Sequence, residues 1–183
     1  MKRFISTAAA TVTLVLSLST QAISAVGTAH NQMKTSPITA LDRQSSLELT
    51  INSHDAALYL TQGVLRLQSG DEKGAIAAFN QAIRINPNSS EAYFIRGIAH
   101  LQLEDWTAAV TDFNQAIRIN PNSSEAYFIR GIARLQLGDL KGATEDLDQA
   151  AVLLEKQGKT AEYEQVINII NQINSRLTDA VIS

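Results

Sequence analysis

Side chains able to carry acid–base, nucleophilic or metal chemistry are few and scattered in this chain. His30, His54 and His100 lie far apart, and none belongs to a His-Glu-x-x-His pair that would set two imidazoles on one helical face around a metal. There is no cysteine, which removes disulfides, thiolate metal sites, thiol nucleophiles and a lipoprotein anchor. Gly158-Lys159-Thr160 has the ending of a phosphate-cradling loop, but Leu153 stands where that loop needs its first glycine and no strand pattern precedes it. It reads as a turn into a helix. A Gly-x-Ser-x-Gly nucleophile elbow is missing. Glu145, Asp146 and Asp148 crowd one helical stretch and read as a solvated face with Asp146 reserved for a partner. Asn88-Ser89-Ser90 and Asn122-Ser123-Ser124 match a glycosylation sequon, relevant only in a eukaryotic secretory path. Trp106 opens a helical stretch and reads as packing. These residues imply no enzyme, no metal site and no cofactor.

What positions the side chains is a repeat. Phe79–Ala99 recurs letter for letter as Phe113–Ala133, an offset of 34 residues, and Leu-Gln-Leu follows in both copies after the exchange of His100 for Arg134. A fainter copy lies 34 residues earlier, with Tyr59, Gly63, Leu67 and Gln68 in register. A fixed period of this size is the mark of stacked supersecondary units. Within each period two amphipathic helices are legible from apolar steps of three and four. They are expected near 56–69 and 71–85, 90–103 and 104–119, and 124–137 and 139–155. Ser89 or Ser90 can cap the first helix of the middle copy, with Glu91 in its first turn. Asn120-Pro121 ends the second, because the residue before proline is pushed out of the helical region. Gly70-Asp71 and Gly138-Asp139 make the tight turns that Glu104-Asp105 makes in the middle copy.

The pattern Tyr-x-x-x-Gly, then Ala, Phe or Leu, Ala and Pro, resembles the tetratricopeptide repeat. It is carried by Tyr59, Gly63, Ala75, Phe79, Ala82 and Pro87, then by Tyr93, Gly97, Ala109, Phe113, Ala116 and Pro121. Tyr127, Gly131, Ala143, Leu147 and Ala150 carry it a third time, with Glu155 in place of the proline. The resemblance spans about residues 55–157 and implies an all-α, right-handed superhelix of antiparallel helix pairs. Repeats of about 56–89, 90–123 and 124–157 are followed by a capping helix within 158–183. That last helix is expected over Thr160–Leu177, with Tyr163, Val166, Ile167, Ile170, Ile173 and Leu177 on one face; the alternative is an oligomerisation helix.

Two departures from the family pattern stand out. Gln62, Arg96 and Arg130 replace the usual Leu before the glycine, and Arg66, His100 and Arg134 replace the usual Tyr after it. The two copies with Arg before the glycine carry Asp112 and Asp146 in their second helices, whereas the copy with Gln62 carries Ala78. Arg96–Asp112 and Arg130–Asp146 are therefore expected as ion pairs joining the helices of their hairpins; the bland alternative is two exposed charges matched by duplication.

By the resemblance, the first helix of each repeat lines a concave face. Leu60, Val64 and Leu67, then Phe94, Ile98 and Leu101, then Phe128, Ile132 and Leu135 are the inward positions, with Glu91 and Glu125 on the margin. Neighbouring helices, a bound peptide or helix, or a second copy of the chain are the three candidates to cover this stripe. A basic clamp for a C-terminal carboxylate does not fit, since apolar residues occupy the positions where Lys or Asn would be needed. The expected role is an adaptor that binds another protein through this face. The alternative is an assembly subunit that self-associates there, and an enzyme or small-ligand carrier stands last.

The N-terminus reads as an address. Met1-Lys2-Arg3, the uncharged run Phe4–Leu18 and the small residues to Ala29 form the three-part pattern of a secretory signal peptide over residues 1–29. The run falls short of the ~20 residues a membrane span needs, so no stable span is expected after its removal. Residues 30–54 are expected as a polar, irregular leader. The protein is thus expected to be exported, periplasmic or secreted, with a lumenal compartment or retention as a membrane anchor as alternatives. Without Lys2 and Arg3, the 15 basic residues fall to 13 against 18 acidic ones, a balance of −5 that disfavours nucleic acid as a partner.

Overall fold

A computed structural model describes the backbone of residues 40–182 and the side chains of residues 54–175. The chain divides into two units, residues 1–48 and 49–183. Of the first, only residues 40–48 are described, as the start of a helix. The expected signal peptide and the leader as far as residue 39 lie outside the described residues.

Among the described residues there are seven helices and no strand: α1 (Ala40–Gln68), α2 (Glu72–Ile85), α3 (Ser90–Gln102), α4 (Trp106–Ile119), α5 (Ser124–Gln136), α6 (Leu140–Lys156) and α7 (Thr160–Ile182). The hairpins are α1/α2, α3/α4 and α5/α6. Successive hairpins meet through α2 against α3 and α4 against α5, and α7 packs on α6. Two boundaries differ from expectation. Residues 40–54, expected as irregular leader, are the first part of α1, because no Pro or Gly stands between Pro37 and Gly63 to interrupt a helix. For the same reason α7 runs past Leu177 to Ile182.

Each helix from α2 to α6 starts on a polar cap. The side chains of Asp71, Ser89, Asp105, Ser123 and Asp139 accept hydrogen bonds from the backbone N–H groups of Gly74, Ala92, Ala108, Ala126 and Gly142 at 2.9–3.2 Å. These bonds satisfy donors that the helix itself cannot. Between the two helices of a hairpin the side chains approach closely. Phe79, Phe113 and Leu147 occupy the same place in α2, α4 and α6, and all three are fully buried. Burying each of these side chains contributes about 2–3 kcal/mol. A Cβ at Gly97 would stand 2.9 Å from Cε1 of Phe113, so only glycine lets the ring lie flat against α3. At the C-terminal end Leu147, Ala151 and Leu154 of α6 meet Val166, Ile170 and Ile173 of α7 in one buried cluster. This covers the last hairpin.

The helices α1, α3, α5 and α6 end in the same way. The N–H groups of Asp71, Asp105, Asp139 and Lys159 each donate to the carbonyl five residues back, at 2.9–3.0 Å. This closure needs a left-handed residue just before the donor. Gly70, Gly138 and Gly158 supply it with φ of 78°, 80° and 69°, but the middle hairpin uses Glu104 at φ 57°. A side chain in that region costs about 1 kcal/mol. Glu104→Gly should therefore raise the stability of the protein by about 1 kcal/mol, read as a higher midpoint in thermal unfolding. Glu104→Val should lower it.

Candidate interaction surface

The surface on which a partner would act is built from α1, α3 and α5, and a charged network ties α3 and α5 to the helices packed against them. Arg96 of α3 donates from Nε to Oδ2 of Asp112 on α4 at 2.8 Å, and from Nη2 to the other carboxylate oxygen. Its third nitrogen, Nη1, donates to Oδ1 of Asn80 on α2, in the preceding hairpin. Arg130 repeats this with Asp146 on α6 and Asn114 on α4, with 2.8 Å from Nε to Asp146 and 2.7 Å from Nη1 to Asn114. Each guanidinium also lies over a tyrosine ring of its own helix, 5.5 Å from the centre of Tyr93 and 5.4 Å from that of Tyr127. Asp112 and Asp146 are only 2% and 3% exposed. A charged carboxylate so enclosed needs a fork-shaped cation to satisfy both oxygens. The bond to Asp112 in turn holds the Arg96 guanidinium more firmly protonated than usual, against the opposing effect of burial.

The sequence reading paired arginine with aspartate but missed the asparagines, which turn a link within a hairpin into a link between hairpins. The signal was present as a constant step: Asn80, Arg96 and Asp112 are each 16 residues apart, as are Asn114, Arg130 and Asp146.

The third position of interest separates the copies. Arg134 gives Asp146 a second cationic partner at 2.9 Å and donates to the carbonyl of Gly142 at 3.0 Å. His100 holds the equivalent place in α3. Its Nε2 is 3.8 Å from Asp112 and its Nδ1 is 3.9 Å from Asp105, beyond hydrogen-bond range, and Nδ1 is buried without a hydrogen-bond partner. The imidazole thus fills the tyrosine-like position without completing the network.

The expected inward stripe is largely enclosed. Val64, Leu67, Ile98 and Leu101 are buried, while Leu60, Phe94, Phe128, Ile132 and Leu135 are half-buried. Phe94 meets Phe113 edge to face with ring centres 5.7 Å apart. Phe128 and Leu135 pack against the α6–α7 cluster. Neighbouring helices therefore take up part of each stripe, and the half-buried edges with the acidic margin are what remains accessible. Among the described residues no group of three or more His, Cys, Asp or Glu could hold a metal ion.

The two margin acids behave oppositely although they occupy the same place in identical segments. Burial works to raise the Glu125 carboxyl, but hydrogen bonds from Lys159, its own backbone N–H and the Ser124 hydroxyl, with the charge of Lys159, outweigh it and hold the group below the usual range. Lys159 Nζ is 2.7 Å from Glu125 Oε1. Glu91, exposed on the margin, faces no such cation, and the partial enclosure of its carboxyl pushes it above the usual range.

Two expectations follow. Asp112→Ala leaves the Arg96 guanidinium half-buried without its partner and should cost about 3–5 kcal/mol, whereas Asn80→Ala removes one bond and should cost about 1 kcal/mol; urea unfolding measures both. A carboxyl raised on folding opposes stability while it is ionised. Glu91→Gln should then raise the thermal midpoint at neutral pH, and the gain should fade as the pH falls through the carboxylate range.

A family model described as tetratricopeptide repeat matches residues 60–124 and 94–161. The chain is similar in structure to the first such domain of Spaghetti (RPAP3), solved bound to the HSP90 peptide SRMEEVD. That match has 23% identity and a TM-score of 0.62, covering 69% of this chain and 95% of that one. It is similar to the tetratricopeptide domain of Arabidopsis OM64, with 26% identity, a TM-score of 0.59 and coverage of 66% and 98%. It is also similar to the Yersinia enterocolitica type III secretion translocator chaperone SycD, with 16% identity, a TM-score of 0.63 and coverage of 66% and 84%. No curated protein matches. With repeats in register, close-packed hairpins and a family match over residues 60–161, this chain belongs to the tetratricopeptide repeat family.

Proposed function

We propose that this chain is an exported adaptor that binds an amphipathic segment of another protein along the edges of α1, α3 and α5. The observation that carries the reading is how the array treats its own last helix. Apolar side chains of α7 at helical spacing settle beside Phe128 and Leu135 of α5, while Lys159 at its start pairs with Glu125. Beside α3 that place is held by α5, so an outside segment with the same grammar, apolar anchors at steps of three and four and a basic group near one end, would meet the accessible edge of Phe94 and the unpaired margin acid Glu91. A tetratricopeptide domain of RPAP3 takes the acidic peptide SRMEEVD. The inward positions of α1, α3 and α5 carry no Lys or Arg to receive such a tail.

Export rests on the charged start, the apolar run and the small residues of 1–29. Among the described residues no helix is long and apolar enough to cross a membrane. No reaction is proposed.

A helical peptide library panned on the purified protein tests the partner chemistry. Enriched sequences should combine apolar anchors at three- and four-residue steps with Lys or Arg near one end. Phe94→Ala should weaken their binding about tenfold or more, the usual cost of losing an aromatic anchor. Glu91→Lys should shift the selection toward acidic ends. Identical selections by all three proteins would refute the reading.

A further inference from the structure

The first hairpin carries a face that the other two hide. Leu58 and Leu65 of α1 are each 61% exposed. Their counterparts one and two repeats on, Ala92 and Ala99 of α3 and Ala126 and Ala133 of α5, are 0% exposed. Thr61, between the leucines, is exposed as well, where Ile95 and Ile129 are buried. All three copies have their own second helix. What α3 and α5 have, and α1 lacks among the described residues, is a hairpin packed in front of them. The exposed face of α1 is therefore the continuation of the interface that joins one repeat to the next.

We infer that this face of α1 joins a second copy of the chain, α1 against α1. Three observations select that occupant. First, leucine replaces alanine at both positions, which blocks the close approach of an ordinary repeat helix, while their seven-residue step keeps the two on one side of α1, as in one half of a two-helix seam. Second, the other end of the array cannot supply the missing hairpin. It is covered by α7, whose outer side chains Glu162, Glu164, Gln165, Asn168 and Asn171 are exposed and polar, so head-to-tail stacking of copies meets a polar surface among the described residues. Third, Ala57, Thr61 and Gln62 beside the leucines are uncharged and the flanking Asp55 and Arg66 are of opposite sign, so no excess of one charge opposes pairing of the face with itself across a two-fold axis. The seam lies on the side of α1 away from the buried Val64 and Leu67, so it is separate from the surface proposed for the partner segment.

Sedimentation of the purified full chain across a dilution series tests this directly. The wild type should be a dimer that dissociates on dilution, and Leu58→Glu with Leu65→Glu should raise the dissociation constant about 100-fold or more, as expected when two central anchors are lost. Circular dichroism of that variant should stay helical, since both sites are exposed. The chain has no cysteine, so Thr61→Cys should form a disulfide-linked dimer under mild oxidation, and Thr111→Cys, on the exposed side of α4, should not. A monomer throughout the series, a dimer indifferent to the two glutamates, or equal cross-linking at Thr61 and Thr111 would each overturn the proposal. Phe94→Ala should leave the dimer intact, which separates this result from that of the peptide selection.

Discussion

Two enclosed carboxylates, Asp112 and Asp146, set the terms for the rest of this array. A charge with almost no access to water persists only when its oxygens are met by a cation and further donors. Here one guanidinium does so while reaching across three helices, the two of its own hairpin and the second helix of the hairpin before. The angle and spacing of neighbouring hairpins are thereby tied to a few donor–acceptor distances. Apolar packing around Phe79, Phe113 and Leu147 provides most of the burial, but packing tolerates small slides, and a forked ion pair does not.

The network stops at both ends of the array. In the first hairpin the arginine and aspartate places hold Gln62 and Ala78, so α1 and α2 are joined by packing around Phe79 and by the bond from Arg66 to the Gly74 carbonyl, without the forked pair. After the third hairpin the asparagine place holds Asp148 and the next arginine place would be Glu164. Two acids cannot continue the motif, and α7 instead closes the stack with the apolar cluster around Leu147 and Val166. The same position in successive helices thus changes role with its neighbours. Glu125 answers a lysine and Glu91 does not; Ala92 is covered and Leu58 is bare.

Most of the fold was legible because the repeat prints it three times. Tyr, Gly, Ala and Phe at fixed steps set the helix pairs, and Asn-Pro and Gly-Asp set their ends. What was not legible lay where local rules are silent. The asparagines 16 residues before each arginine carry no propensity signal, since an exposed Asn on a helix looks like any polar surface residue. The start of α1 at Ala40 was hidden because the segment's polar composition, read as leader, outweighed its lack of helix breakers. The inward stripe was placed on the correct helices, but its enclosure depends on how closely neighbouring helices sit, which periodicity alone does not give. Glu104 in a left-handed conformation could be foreseen only by aligning it with Gly70 and Gly138.

The arginine–aspartate link acts as one unit holding the second and third hairpins to their shape. A double-mutant cycle on Arg96→Met and Asp112→Ala, followed by urea unfolding, measures this most directly. The two losses should be strongly non-additive, with a coupling of about 2–3 kcal/mol. Additive losses, within about 0.5 kcal/mol, would contradict it.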